Sequence, residues 1–457
     1  MTEPASSVAP KLPRVMGLRD VVLFNIIAIV GPRWFTTAAS QFGLASLGLW
    51  LLAMVVFFLP SALVVRELVE IDPGAGGLYR WVARAFGTRN AFVAGWGYWV
   101  NNLFYFPSLL VQTAAILAYA GGPRHVGLAD SQSFIAVVSL SGLWLSTWLN
   151  LVGLRIGKWL SNIGALWGTW IPTLVFVALG VWVFASHGSA TTVTPRAFLP
   201  ARFDFQSINF FATMVFAFGG LELAPTLGAE IHDPARTLRR GVVLSGLIIV
   251  TLYMLGTAAL LVALPSTTIN ITNGLPQAVA AMGERLGAPG LAWLAALMAV
   301  LFALGNLGGV GAWAAGSARL PYAAGVDRAL PAAFSQIHPR WQTPHIALLV
   351  QSALATLFIV ASLIGSTVRN AYLLLVQTTA ILFFIPFLYM FAAYLRVRRQ
   401  RTGVTLLTGI TGFATVAVAI VLSFVPPPGE PWVLFELKIA GGVIGFMAIG
   451  WWLARRA

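Results

Sequence analysis

Apolar runs of 18 or more residues recur from one end of the chain to the other, and no other feature constrains its fold as tightly. Each run can cross about 30 Å of hydrocarbon at a rise of about 1.5 Å per residue. A helix is the structure that satisfies its own backbone in lipid. Twelve segments can be drawn, near residues 18–44, 46–66, 91–120, 132–152, 159–186, 207–229, 241–264, 289–316, 345–365, 371–395, 404–424 and 432–453. Only 9% of residues are charged, against about 25% in an average soluble domain. The expected fold class is an all-α polytopic membrane protein with 12 transmembrane helices, embedded in a lipid bilayer.

The net charge of +14 does not point to nucleic acid, because the basic residues form short clusters between the apolar runs. That is the pattern set by membrane insertion. If the N-terminus is inside, 21 of the 28 Lys and Arg fall on one side. Arg124, Arg196, Arg202, Arg285 and Arg369 fall on the other, while Arg33 and Lys438 lie within or at the edge of spans. Both termini are therefore expected to be cytoplasmic, in a multi-pass protein of the cell (inner) membrane. Cys is absent, and His125, His187, His232, His338 and His345 are scattered without metal-ligand spacing. No metal and no cofactor is expected. The opening "MTEPASSVAPKLPRVMGLRD" lacks an apolar core, so the first span is expected to direct insertion.

Two spans combine an internal glycine break with a charge at depth. The first reads "NIIAIVGPRWFTTAAS", with Gly31-Pro32 followed by Arg33. The sixth reads "ATMVFAFGGLELAPTLGAEIHDP", with Gly219-Gly220 followed by Glu222. They lie five spans apart, and a unit of five helices crosses an odd number of times, so a second copy enters from the opposite side. Matching breaks in two inverted halves point to a transporter substrate site near the midplane. Either glycine break alone also suits close helix packing. The two together, each followed by a charge, favour unwound binding segments.

Three stretches resemble one family. "RELVEIDPGAGGLYRWVARAFG" matches amino acid–polyamine–organocation transporters at Glu67, Leu68, Pro73, Gly76, Gly77, Tyr79, Phe86 and Gly87. "FAFGGLELAPTLGAEIHDPARTLRRGV" resembles their sixth helix and following loop, with Glu222, Glu230, Asp233-Pro234 and Arg236 in register. "GSARLPYAAGVDRALPAAFSQIHPRWQTP" resembles the connection between helices 8 and 9 at Arg319, Asp327, Leu330-Pro331 and Pro344. The resemblance implies a leucine-transporter-like 5+5 inverted repeat. It would run as a cytoplasmic segment 1–17, a first repeat 18–187, an outer loop 188–206, a second repeat 207–400, and two added helices with a short C-terminus over 401–457. It also implies substrates that are amino acids or amines derived from them. The carboxylate would be held by amides of the broken first helix and the amino group by carbonyls of the broken sixth.

The first break departs from the family's Gly-Ser/Ala-Gly pattern. Gly31 matches, Pro32 offers no N–H donor, and Arg33 stands where a second glycine is usual. Arg33 lies about 18 Å into its span, too deep to snorkel, so it is expected to face the bundle interior. Three readings stay open: it grips a substrate carboxylate, it replaces a bound coupling ion, or it pairs with Glu222 or backbone carbonyls. Candidate substrate-binding residues are Ile29, Gly31, Pro32, Arg33, Trp34, Phe218, Gly219, Gly220, Leu221 and Glu222 around the breaks. To these are added Asn101, Asn102 and Tyr105 on the third span, and Asn306 on the eighth. Trp34 and Phe218 are placed to close over a substrate, and packing is the competing account of both. Some proton-coupled members carry a lysine in helix 5; the matching position here is Gly168, and Lys158 is expected in the cytoplasmic loop. Glu436 and Lys438 are expected at the interface, and Asn270-Ile271-Thr272 fits a glycosylation sequon on an outer loop.

The leading reading is a secondary carrier of amino acids or derived amines, working by exchange as a monomer or homodimer. A proton-coupled symporter is the first alternative. A non-transporting amino acid sensor on the same scaffold is the second, and the lack of a long soluble loop speaks against it. No Ser/His/Asp or acidic metal cluster suggests an enzyme, and no GxxxxGK[ST] motif suggests an ATP-driven pump.

Overall fold

Backbone chemistry dictates where the first span breaks. Helix α1, Leu18–Ile29, ends at Val30, whose extended backbone (ψ 97°) leads into Gly31. Pro32 cannot donate the N–H that a continuous helix needs, and it instead serves as N-cap of α2, Arg33–Phe42. The two halves meet at 41°. This computed structural model describes residues 13–74, 76–199, 205–288, 291–326, 330–364, 368–398, 402–425 and 432–455. Lys11, Arg202, Asp327, Arg328, Arg399, Arg401 and Arg456 lie outside them, as do the side chains of Arg155, Arg369 and Lys438.

The chain continues through α3 (Ala45–Ala53) and α4 (Leu59–Ile71), joined by a π-helical stretch at Met54–Phe58. After α5 (Leu78–Phe86), the long α6 (Thr88–Leu117) and α7 (Gln132–Leu151), helices α8 (Leu154–Ile163) and α9 (Ile171–His187) form one span with a second π-helical stretch at Gly164–Trp170. Helix α10 (Phe205–Ala217) stops at the second break and resumes as a 3-10 turn over Ala224–Glu230. Next come α11 (Pro234–Ala263), α12 (Gly274–Arg285), α13 (Ala292–Ser317), α14 (Arg319–Val326), α15 (His345–Leu363), α16 (Val368–Val397), α17 (Gly403–Ser423) and α18 (Trp432–Leu453).

Among the described residues, nine helices are long and apolar enough to cross a membrane, or ten with α1–α2 taken as one bent span. The sixth expected segment is shortened by its break, and in the twelfth the stretch Ile439–Leu453 falls below full span length. The short α5, α12 and α14 lie in what the sequence presents as loops. Lys158, expected in a loop, instead sits on α8: Gly153 (φ 122°) turns the chain and starts the helix at Leu154, ahead of the apolar run. There Lys158 donates to Val15 O (2.6 Å) and Asp20 (3.2 Å), while Asn162 holds the other Asp20 oxygen at 2.8 Å.

Helix α6 is the most deeply enclosed span, packed among α16, α13, α5, α7 and α15, and its Tyr98 and Tyr105 side chains reach Glu222 and Phe216 at the second break. The π-helical stretch at Gly164–Trp170 meets α13 backbone to backbone: a Cβ on Gly164 would stand 2.8 Å from Gly308 Cα, and one on Gly168 would overlap Gly305. Small residues permit such crossings, whose reward is van der Waals packing.

Candidate functional site

The two breaks pack on each other. Gly220 has φ 133°, a conformation open to glycine, and a Cβ there would stand 2.7 Å from Ile29 Cγ1. The Phe383 ring covers Gly219 and leaves no space for a side chain.

Interrupting a helix strands its carbonyls, and side chains from neighbouring helices take them up. Trp313 Nε1 on α13 donates to Ala28 O at 2.8 Å. Tyr253 Oη on α11 lies 2.7 Å from both Ile29 O and Ala217 O. The carboxylate of Glu222 is also satisfied: Tyr98 Oη donates to one oxygen at 2.6 Å and the Gly220 amide to the other at 3.0 Å.

Arg33 is different. Its side chain is 1% exposed, yet Nε, Nη1 and Nη2 meet no acceptor in good hydrogen-bond geometry among the described residues, although the Tyr105 hydroxyl lies within reach. The guanidinium lies over the Trp34 ring at 4.3 Å and the Tyr105 ring at 4.9 Å. Such contacts are worth about 1–2 kcal/mol but satisfy none of the five N–H donors. Tyr372, whose buried hydroxyl lies beside Thr37, is within its electrostatic reach. The Arg33–Glu222 ion pair, one of the three open readings, is not formed; Glu222 is held by Tyr98 and Gly220, and no carboxylate among the described residues pairs with Arg33.

An aromatic wall surrounds this cation. Phe216 meets Trp34 edge-on at 5.6 Å and Phe383 at 5.0 Å, and Tyr105 lies 5.1 Å from Trp313. Phe218, expected to close over a substrate with Trp34, instead packs among Trp50, Phe58 and Tyr253. Phe216 takes the place facing Trp34, a swap that follows from where α10 stops. Asn101 and Asn102 both turn their amide nitrogens back to Tyr98 O (2.6 and 2.8 Å), which leaves each Oδ1 buried without a partner. Asn306 Nδ2 on α13 is likewise buried and unpartnered. Tyr98, Tyr253, Trp313, Phe216, Phe383 and Tyr372 were not anticipated; their one sequence signal was a polar-tipped or bulky ring in an apolar span, which packing explains equally well. Among the described residues, no group of three His, Asp or Glu could hold a metal ion.

Comparison with known proteins decides the family. The family model described as amino acid permease matches residues 17–448. The chain belongs to the amino acid permeases of the amino acid–polyamine–organocation superfamily. It is 30% identical to a Legionella pneumophila protein named as an uncharacterized transporter, over 97% of both chains. It is 24% identical to a probable agmatine/putrescine antiporter of Lactococcus lactis (82% of this chain, 78% of the relative) and 23% identical to a glutamate/γ-aminobutyrate antiporter of the same species (90% and 85%). Among solved structures, that of MhsT in complex with L-phenylalanine superposes with a TM-score of 0.63 at 13% identity, covering 91% of this chain and 99% of that one. The permease therefore has a leucine-transporter-like fold, and it is a multi-pass membrane transporter of amino acids rather than an enzyme.

Proposed function

We propose that this permease exchanges amino acids or amines derived from them by alternating access, with the substrate held between the two breaks and its carboxylate gripped by Arg33. The observation that carries the reading is a fully buried guanidinium that has no carboxylate partner and no well-formed hydrogen bond among the described residues, on the first residue of α2. Pro32 removes one amide donor from the stretch that binds carboxylate in the family, and Arg33 supplies a bidentate donor in its place. Ile29, Gly31, Trp34, Asn101, Asn102, Tyr105, Phe216, Gly219, Gly220, Leu221, Glu222 and Asn306 complete the proposed surroundings, with Phe218 packed behind them. A buried cation repels a second one, so acidic or zwitterionic amino acids are favoured over polyamines.

Exchange is favoured over lysine-based proton symport because Gly168, at the position of the coupling lysine, faces the Gly305 backbone with no space for a side chain. The reading includes 12 spans in a 5+5 inverted repeat (18–187 and 207–400), both termini cytoplasmic in the inner membrane, and a monomer or homodimer. The test is uptake of labelled amino acids into liposomes with and without internal substrate. Arg33→Lys is expected to lower transport efficiency about 10-fold and Arg33→Ala about 100-fold, the range set by charge-assisted hydrogen bonds. Near-normal kinetics in both variants would remove Arg33 from the substrate site.

A further inference from the structure

Three arginines gather on two aromatic rings where one end of α6 meets the ends of α16 and α18. Helix α18 is fixed there by close packing on α6: the Trp96 ring leaves no space for a Cβ on Gly450, and Trp96 Nε1 donates to Phe446 O at 2.8 Å. Trp451 is the next residue, and Arg89 lies two turns before Trp96 on the same face of α6. The Arg89 guanidinium therefore comes to 5.4 Å from the centre of the Trp451 ring. One turn beyond Trp451, Arg455 reaches the same ring at 3.8 Å. Just before α6 begins, Phe86 carries a third guanidinium, that of Arg396 from the end of α16, at 5.2 Å. All three arginines are exposed, and Trp451 is half exposed. Among the described residues no carboxylate pairs with any of the three, whereas Arg66 and Arg239 share Glu70, Arg80 meets Asp72 and Arg398 meets Glu67. Membrane insertion asks for positive charge near span ends, but not for two guanidiniums on one ring. Like charges repel, and an exposed ring face holds each only weakly. An anion between them replaces that repulsion with two attractions.

We propose that Arg89, Arg455 and Trp451 bind the headgroup of an anionic phospholipid in the adjoining leaflet, with its phosphate between the two guanidiniums and Arg396 beside it. A guanidinium can grip phosphate oxygens along its edge while its face stays on a ring. The place suits a lipid: Trp at a span end sits at headgroup level, where basic side chains meet anionic lipid. A zwitterionic headgroup fits worse, because it brings a cation of its own to three arginines. The bound lipid ties the start of α6 to the end of α18. The proposal stands independently of Arg33 and of the substrate site.

The test is thermal unfolding of the purified full chain in detergent, titrated with dioleoyl phosphatidylglycerol, dioleoyl phosphatidylcholine or inorganic phosphate. Phosphatidylglycerol is expected to raise the Tm by binding the folded state, and the other two are expected to leave it in place. The double variant Arg89→Gln, Arg455→Gln is expected to need about tenfold more phosphatidylglycerol for half of the shift, as charge-assisted hydrogen bonds are lost. Arg240→Gln removes an exposed charge elsewhere, on α11, and is expected to keep the titration within about twofold, since distant surface charges are screened. An equal loss in Arg240→Gln would reduce the effect to diffuse surface charge and overturn the proposal. No shift with phosphatidylglycerol overturns it, and so does an equal shift with phosphatidylcholine. A shift with inorganic phosphate alone would make this a free-anion site and overturn the lipid assignment. If the double variant is not monodisperse, native mass spectrometry of the wild type with an equimolar mixture of the two lipids decides. Preferential retention of phosphatidylglycerol is expected, and equal retention overturns the proposal.

Discussion

Among the described residues, two arginines are almost completely buried, and their surroundings are opposite. Arg319 sits at the start of α14 with 2% of its side chain exposed and meets Glu230 bidentately: Nε to one oxygen at 3.0 Å, Nη2 to the other at 2.8 Å. The same Glu230 contributes its backbone carbonyl to the amides of Val15 and Met16. Arg319 is thus a closed arrangement, joining the segment before α1, the turn after the second break, and α14. Arg33, equally buried, has rings on its faces and, among the described residues, no carboxylate partner. A buried charge is tolerated when it is paired and hydrogen-bonded. One arginine meets that condition within the fold; in the site proposed above, the other would meet it when a ligand brings an anion. Burial alone does not separate a structural charge from a binding one; the state of its donors does.

That contrast can be broken by substitution. Glu230→Ala leaves Arg319 uncompensated, and about 3–5 kcal/mol of stability is expected to be lost, read as a large fall in Tm in detergent. A Tm near that of the wild type would show that the closed pair contributes little. Arg33→Met removes a buried charge whose rings repay only part of its desolvation. Stability should rise by about 1–3 kcal/mol while transport is lost. A fall in Tm would mean that Arg33 has a structural role after all. The smallest effect belongs to Lys158→Ala, a partly exposed pair with Asp20 plus one bond to Val15 O. About 1 kcal/mol is expected, with transport kept within a few-fold; abolition of transport would place this contact in the gating step.

The sequence made the spans and both breaks legible because they rest on local chemistry: Pro32 lacks an N–H, Gly220 adopts a backbone that other residues avoid, and apolar length is visible without tertiary information. Arg33 stood out for the same reason, as a charge where lipid depth forbids one. Its relation to Glu222 was not legible. Pairing depends on which side chains from distant helices arrive first, and Tyr98 on α6 takes the carboxylate. Tyr253 and Trp313 escaped notice because a ring in an apolar span shows neither its rotational phase nor its hydrogen bond. Phe218 was named because it flanks the glycine pair in sequence; α10 ends at Ala217, and Phe218 follows the competing account, packing among Trp50, Phe58 and Tyr253. Lys158 was misplaced because a helix start set by Gly153 precedes the apolar run by several residues.

The glycine crossing between the π-helical stretch and α13 has a consequence for how carriers of this kind diverge. Gly164 and Gly168 meet Gly308 and Gly305 with no side chain between the two backbones. Putting a lysine at residue 168 would therefore not install a proton carrier; it would first force two helices apart. A descendant of this chain would need a wider crossing before the new residue, and the wider crossing alone, leaving a void, would offer no benefit to select. The absence of a Cβ on either side of this crossing thus keeps any larger side chain out of residue 168 until the two helices separate.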